Sequence, residues 1–478
     1  MRRLVRLALL PIFLTIFASP TSTALEPERT ISVMTRNIYL GADVGVALNL
    51  LPDFPAAAQF MWDQMRATDF QQRSRKLAQE FATLKLDVIG IQEATKWICK
   101  KGLLSRKQTI FDFLEILLDE TKKTGVGYSL ISKDGDQTYN RGFSIPAIPK
   151  LTIVEDQETF EPIFGQSSAA CGFEIADALL IRDGLDAQVL QLGNSEFKTY
   201  YTVVPVVMDI YRGYTWADLK IEGKRIRVVT THLESLFDES GAPHSSIQAE
   251  QLIEDLASTK SPLIVMGDFN ADPRDPRGPD APNPGGQPAS NVQCEPQSKD
   301  PTRFDASCNA YWKMIQAGYI DLGPDSLSLK NLTWGATALL DGPDEKRVRA
   351  AEEMGNEYGF TDRLDYIFVR NGLNKTNSKL VSFTWPKGEA NWDCRRGGQE
   401  RSCLPSDHVG IFATIGFSDI KDAVADEALP DHRTLPWLKL AAAVGGILLI
   451  LVLIWLPYRL LLQPLIIGPL QRRRAIRN

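Results

Sequence analysis

Six short polar strings recur at the ends of apolar runs along this 478-residue chain. They are Asn37, Gln92-Glu93, Thr231-His232-Leu233-Glu234, Gly267-Asp268-Phe269-Asn270, Asp365 within Asp362-Arg363-Leu364-Asp365-Tyr366, and Ser406-Asp407-His408. Hydrolysis of a phosphoester asks for a hard cation to neutralise phosphoryl oxygens, a base to activate water, and donors to hold developing charge. Glu93 and Asp407 are carboxylates of the kind Mg²⁺ prefers, and Asp268, Asn270 and Asn37 are suited to orient water and phosphate. His232 and His408, two of only four histidines, are the acid/base and donor candidates. Taken singly, each string is better explained as a turn, a surface ion pair or a solvated carboxylate, and a lone histidine is more often structural. The whole set, in order on strand ends, points to one site.

The elements that must position these groups are short. Apolar runs at Ile31–Thr35, Val88–Ile91, Ala178–Ile181, Ala217–Ile221, Ile226–Thr230, Leu263–Met266, Leu364–Val369 and Gly410–Ile415 read as strands, with Glu222-Gly223-Lys224 as a hairpin turn. Apolar residues three or four apart predict helices over Phe70–Leu84, Ile110–Thr121 and Ile247–Leu256. Interleaved strands and helices indicate a layered α/β fold, and such folds assemble sites at strand ends. Asp272 to Ser307, crowded with Pro, Gly and Asp, is expected to be a long loop.

The two ends predict a location. Arg2, Arg3 and Arg6 precede an uncharged apolar run to Phe17 and the small residues Ser22, Thr23 and Ala24, the pattern of a signal peptide over residues 1–24. Leu440 to Tyr458 carries no charge until Arg459, is flanked by Trp437, Trp455 and Tyr458, and has the length of a bilayer core. Arg472, Arg473, Arg474 and Arg477 follow it and mark the cytoplasmic side. The expected organisation is a catalytic domain over 25–418 outside the cytoplasm, a polar linker over 419–436, one transmembrane helix over 437–458 and a basic cytoplasmic tail over 459–478. Without both ends, Lys plus Arg falls from 53 to 44 against 59 acids, a net of −15 that gives no global pull on polyanions. All six cysteines lie between the membrane signals, as expected of disulfides formed in an oxidising compartment. Cys294 with Cys308 and Cys394 with Cys403 are the local pairs, and no CxxC spacing suggests zinc.

As an ordered set, Thr35-Arg36-Asn37, Ile91-Gln92-Glu93, Thr231-His232-Leu233, Gly267-Asp268-Phe269-Asn270, Arg363-Leu364-Asp365-Tyr366 and Ser406-Asp407-His408 resemble the endonuclease/exonuclease/phosphatase superfamily. The resemblance covers roughly Ser32 to Gly416. It implies a four-layer α/β sandwich, two packed mixed sheets flanked by helices, with one active site along an edge. It also implies that Glu93 binds a divalent metal, Mg²⁺ or another hard cation such as Mn²⁺ or Ca²⁺, with Asn37 and Asp407 beside it. Asp268 and Asn270 would position water and phosphate. His408 would be acid/base partner to Asp365, and His232 would donate to the phosphate in the transition state. Tyr39 stands where the family's nucleases often carry an acid, which argues against a second metal. The family's second catalytic carboxylate has no clear counterpart among Glu155, Glu158, Glu161 and Glu174. The aromatic motif of the inositol phosphatases is absent.

Arg212-Gly213-Tyr214 ahead of two paired strands resembles the secreted bacterial branch, which includes sphingomyelinases and extracellular nucleases. Membrane tethering and an acidic surface favour a phospholipid head group or a small phosphodiester as substrate. A nuclease is the first alternative, and Arg395-Arg396 with Arg401 form the only basic cluster noted near a motif. A catalytically silent binding ectodomain is the second, and it would call for a lost motif, whereas none is lost. The aromatic stretch Tyr200 to Trp216 is expected as a buried strand pair, with a lipid-touching hairpin as the lesser alternative.

Overall fold

The computed structural model describes residues 29–100, 105–152, 168–204, 208–235, 244–274, 309–335, 359–392, 395–396, 399–400, 402–417 and 425–433. In chain order the strands are β1 (Thr30–Asn37), β2 (Val88–Lys100), β3 (Gln108–Asp112), β4 (Tyr128–Leu130), β5 (Ser132–Lys133), β6 (Asp136–Gln137), β7 (Tyr139–Thr152), β8 (Ser168–Arg182), β9 (Ala187–Glu196) and β10 (Tyr201–Val204). They continue with β11 (Met208–Ile210), β12 (Gly213–Ile221), β13 (Lys224–His232), β14 (Leu263–Asp268), β15 (Ile320–Asp321), β16 (Asp365–Arg370), β17 (Asn374–Val381), β18 (Arg395–Arg396), β19 (Gln399–Glu400) and β20 (Gly410–Gly416). The helices are α1 (Val44–Asn49), α2 (Phe54–Ala67), α3 (Phe70–Leu84), α4 (Phe113–Lys123), α5 (His244–Asp255) and α6 (Ala310–Gln316).

Two mixed sheets carry the fold. The first runs β17-β20-β1-β2-β8-β4, with β3 added on β2 and β7 on β8; the second runs β15-β16-β14-β13-β12-β9. Strand alternation decides what each face buries. Ile31, Val33, Val88 and Leu179 of the first sheet meet Val228, Ile264, Met266 and Ile367 of the second in a core between the sheets. The opposite face of the first sheet packs Met34, Ile89 and Trp97 against Trp62 of α2, Leu77 of α3 and Leu117 of α4. Outside the second sheet, Trp216, Val229 and Phe368 pack on Leu252 of α5 and Met314 of α6. The result is four layers, helices, sheet, sheet, helices.

Every expected strand lies within an observed one or overlaps it closely, and α3 spans the residues its periodicity predicts. The turn between β12 and β13 has φ of 47° at Glu222 and 83° at Gly223, the tight form that suits twisted hairpins. One helix starts later than its spacing suggests. Asp112 accepts the Glu115 N–H and caps α4, so Ile110 and Phe111 belong to strand β3 instead, Phe111 pairing with Trp97 of β2 and Ile110 falling at a register shift. The aromatic stretch forms the β10–β11 hairpin, whose Met208 and Ile210 are buried with the helix-covered face of the first sheet, and Tyr214 and Trp216 are buried in β12.

Cys99 of β2 and Cys171 of β8, opposite each other in register, form a disulfide. Cys403 is also disulfide-bonded, while Cys294, Cys308 and Cys394 lie outside the described residues. The expected leader, span and tail, most of the Pro-rich loop and Arg401 also lie outside them. Among the described residues no helix is long and apolar enough to cross a membrane. Within the stretch expected as a linker, residues 425–433 lie on the second sheet. Asp426 accepts the N–H groups of Lys260 and Ser261, Arg227 donates to the Glu427 carbonyl, and His432 meets Asp255 at 3.0 Å.

Candidate active site

One end of the second sheet gathers three of the polar strings into a row. His232 pairs in register with Asp268, and Asp268 with Asp365, so three functional groups stand on neighbouring strands β13, β14 and β16. Gly267 makes the row possible: a Cβ there would sit 2.0 Å from the Thr231 carbonyl oxygen. His408, just before β20, enters from the first sheet and closes the row. Its Nδ1 lies 2.9 Å from Asp365 Oδ2 and its Nε2 lies 3.6 Å from Asp268 Oδ2.

The same end of the first sheet supplies the facing groups. Asn37 ends β1, and its amide donates to Asp268 Oδ2 at 3.1 Å while its Oδ1 accepts the Tyr39 N–H. Gln92 ties the sheets together, accepting from Thr35 of β1 and donating to Thr230 of β13. Glu93 then sits at a register break in β2 with φ of 63°, a left-handed conformation that a non-glycine residue adopts only where its surroundings enforce it. Its Oε2 accepts the Leu40 N–H at 2.7 Å. Buried Arg73 of α3 holds this loop in place by donating to the carbonyls of Ile38, Tyr39 and Pro405, which joins the end of β1 to the string containing Asp407 and His408.

Burial and mutual charge set the protonation of these groups. Burial opposes a charge on His408, but Asp365, Asp407 and Asp268 outweigh it and raise its pKa to about 10. Burial and then the Arg212 guanidinium lower His232 to about 3. Arg212 Nη1 lies 3.1 Å from His232 Nδ1, which makes Nδ1 the acceptor and leaves the proton on Nε2, facing Asp268 Oδ2 at 3.6 Å. Asp268 is raised to about 7 by burial, opposed by His408. Asp407, whose Oδ2 accepts from Trp334 Nε1 at 3.1 Å, is raised to about 6 by burial and the nearby charge of Glu93.

Two donor sets invite a cation. Ligand atoms of Asp268, Asp365 and His408 all lie within 4.8 Å of one another, and the inner Asp365 Oδ1 has no hydrogen-bond partner. His408 and Asp365, however, already satisfy each other. The carboxylates of Glu93 and Asp407 repel each other, the arrangement a hard divalent cation relieves through oxygen ligands. The residues present fit such an ion, with Asn37 linking this half of the site to Asp268.

All the residues expected from the sequence, Asn37, Glu93, His232, Asp268, Asn270, Asp365, Asp407 and His408, lie at this one edge. Asn270 has a mainly internal task on its nitrogen side, since its Nδ2 donates to the Leu233 carbonyl and its N–H to Asp268 Oδ1. Three groups escaped the sequence reading. Asp177 of β8, buried and raised to about 7, receives the Glu93 N–H and lies 3.6 Å from His232 Nδ1. Glu155, Glu158, Glu161 and Glu174 offered no clear second carboxylate in the sequence, and Asp177 lies three residues beyond the last of them in the same strand. Arg212 pairs with Glu234 at 3.2 Å behind His232, and Trp334 covers Asp407 and His408. Arg212 stood in the sequence only within the Arg212-Gly213-Tyr214 string, and no motif marked Trp334.

A known family matches the segment that carries most of these groups. Residues 201–408 match the model of the Endonuclease/Exonuclease/phosphatase family. Among solved structures, an endonuclease/exonuclease/phosphatase family protein from Bacteroides thetaiotaomicron is 14% identical, with 82% of this chain and 99% of that chain covered and a TM-score of 0.43. A mannosyl-6-phosphatase from the same species is 15% identical over 81% of this chain and 100% of its own, with a TM-score of 0.42. TDP2 from D. rerio, complexed with single strand DNA product, is 14% identical over 81% and 99%, with a TM-score of 0.40. No curated protein matches the chain by sequence.

Proposed function

Residues 201–408 match the Endonuclease/Exonuclease/phosphatase family model, and from that premise we propose that the chain is a member of that family and a divalent-metal-dependent phosphodiesterase in which His408 and Asp268 move the protons. The observation that carries this reading is the pair of imidazole Nε2 atoms, from His232 and His408, each 3.6 Å from Asp268 Oδ2. That leaves a small polar space bounded by one carboxylate and two N–H donors.

Glu93 and Asp407 would hold the cation, whose chemistry is to neutralise phosphoryl oxygens as negative charge builds. Asp268, raised to about 7, is basic enough at neutral pH to take a proton from water, and Asn37 and the Asn270 N–H fix its orientation. His408 stays protonated at that pH and presents Nε2–H as a donor or acid to the phosphoryl or leaving oxygen, with Asp365 fixing the ring through Nδ1. Neutral His232 presents a second N–H, held in that tautomer by Arg212. Asp177 adds a carboxylate whose proton occupancy changes near neutrality.

The test is hydrolysis by the purified full chain with Mg²⁺ of bis(p-nitrophenyl) phosphate, sphingomyelin and plasmid DNA, each repeated in EDTA. Chelator-sensitive cleavage of a phosphodiester is expected. Failure on every phosphoester, with correctly folded protein, overturns the reading. We place the catalytic domain outside the cytoplasm, in the secreted branch, on the strength of the apolar run at Leu440–Tyr458 and the arginines after it. Protease added to intact cells is then expected to release the domain, and cleavage of the tail alone would reverse the orientation.

A further inference from the structure

Strands β2, β7 and β8 do not stop at the catalytic edge. β2 runs on past Glu93 to Lys100, so at about 3.3 Å per residue it reaches roughly 20 Å beyond the site. β7 runs on from Asn140, which pairs in register with Asp177, and β3 is added on the far side. This overhang holds an open groove of about 380 Å³. Lys96, Lys100, Lys107 and Arg141 line it, Glu174 is its one carboxylate, and Ile98 and Phe173 form part of its floor. The Cys99–Cys171 disulfide ties its two main strands together.

Four cations against one carboxylate make a local exception on a chain of net charge −6. Arg141 meets Glu174 at 3.0 Å, and Lys96 meets Asp112 at 2.9 Å from outside the groove. Lys100 and Lys107 have no ion pair among the described residues, so the positive charge of the groove is not cancelled. Concave cationic surfaces focus field and concentrate anions. The groove also opens off the catalytic edge, because Arg141 directly follows Asn140 and Lys96 pairs with Glu174, three residues from Asp177.

We propose that this groove is an anion subsite that holds phosphate groups of the substrate flanking the one that is cleaved. The proposal rests on the phosphodiesterase reading and narrows it to substrates with more than one phosphate, either a phosphodiester chain or a small phosphodiester that carries a second phosphate. A competing explanation is that lysines on and beside the edge strand β3 only prevent strand pairing with other chains. Glutamate would serve that purpose equally well, so charge reversal separates the two.

The experiment compares the full chain with its Lys100→Glu/Lys107→Glu variant, both positions lying outside the catalytic machinery. Wild type is expected to show a KM that falls with oligothymidylate length from two to eight nucleotides if the ligand is a chain. A fall seen only with thymidine 3′-phosphate 5′-(p-nitrophenyl phosphate) over thymidine 5′-(p-nitrophenyl phosphate), a diester with and without a second phosphate, identifies the small source. The variant is expected to raise the KM of the preferred multi-phosphate substrate at least tenfold while leaving bis(p-nitrophenyl) phosphate within twofold. Binding of fluorescein-labelled octathymidylate in EDTA, which needs no turnover, is expected to weaken, with a salt slope shallower by about 0.7 for each phosphate no longer neutralised. Equal effects on single- and multi-phosphate substrates, or no effect on either with unchanged binding, overturn the subsite. A chain that cleaves nothing yet binds the probe through these lysines would instead overturn the phosphodiesterase reading.

Discussion

The catalytic edge and the overhang share strands β2, β7 and β8, yet they hold their polar groups by opposite means. At the edge, Asp177, His232, Asp268, Asp365 and His408 are all buried, the first four placed by strand register and His408 fixed by Asp365. Along the overhang, Lys107 and Arg141 stand in solvent, Lys107 without an ion pair among the described residues and Arg141 held at its head by Glu174. The difference teaches what each region can do. Buried groups gain large pKa shifts and fixed geometry, which proton transfer needs, whereas exposed cations act through a field that salt screens within about 10 Å.

The largest effect should come from breaking the edge itself. His408→Ala is expected to cut kcat by about 10²- to 10⁴-fold, the range of general acid–base groups, and Asp365→Asn by a large share of that. The double variant should be little worse than the worse single, because the two act as one unit through the 2.9 Å contact. Losses that multiply, at unchanged metal affinity, would show that they do not.

Beneath the edge, Arg36 and Glu80 form an ion pair at 3.1 Å with both side chains fully buried, and Arg36 also donates to the His408 carbonyl. Arg36→Met strands the Glu80 charge and should cost ~3–5 kcal/mol in urea unfolding at neutral pH. Burial already raises the Glu80 pKa against the pull of Arg36, and losing that pull raises it further. A raised carboxyl is penalised once it ionises, so the deficit should shrink as pH falls below the folded-state value. A deficit that grows in acid contradicts this account.

A smaller effect is expected at the metal half. Glu93→Gln should raise the Mg²⁺ concentration for half-maximal activity by roughly 10- to 100-fold, with partial recovery in excess metal. Unaltered metal dependence would place the cation elsewhere, with the Asp268, Asp365 and His408 group as the next candidate. The gentlest probe perturbs nothing. In NMR titration of metal-free protein, His408 should stay protonated to near pH 10 and His232 neutral down to about pH 3. His408 then stabilises the fold below pH 6.5 and loses that contribution as pH rises through 10. His232 costs stability as pH falls below 6.5 toward 3.

Much of the edge was legible because its residue types are unusual where they stand: two histidines, an Asp-Phe-Asn and a Gln-Glu at the ends of apolar runs carry a signal that burial alone does not explain. Asp177 was not, since a carboxylate inside the long strand Ser168–Arg182 reads as one polar residue among many until register sets it beside Asn140 and behind Glu93. The helix boundary at Phe113 was hidden because periodicity continues through Ile110, and the Asp112 cap decides the start.

By itself the sequence determined the eight strands that its apolar runs mark, the family resemblance and the kinds of groups available, because period-two burial and turn chemistry are local properties. Only the tertiary structure decided protonation and partnership. Burial and then a guanidinium push the imidazole of His232 down to about 3, while in His408 three carboxylates outweigh the same burial and raise it to about 10. The cationic groove is likewise a product of folding: Lys96 and Lys100 come from β2, Arg141 from β7 and Lys107 from just before β3, and their charges add only where these segments lie around one sheet.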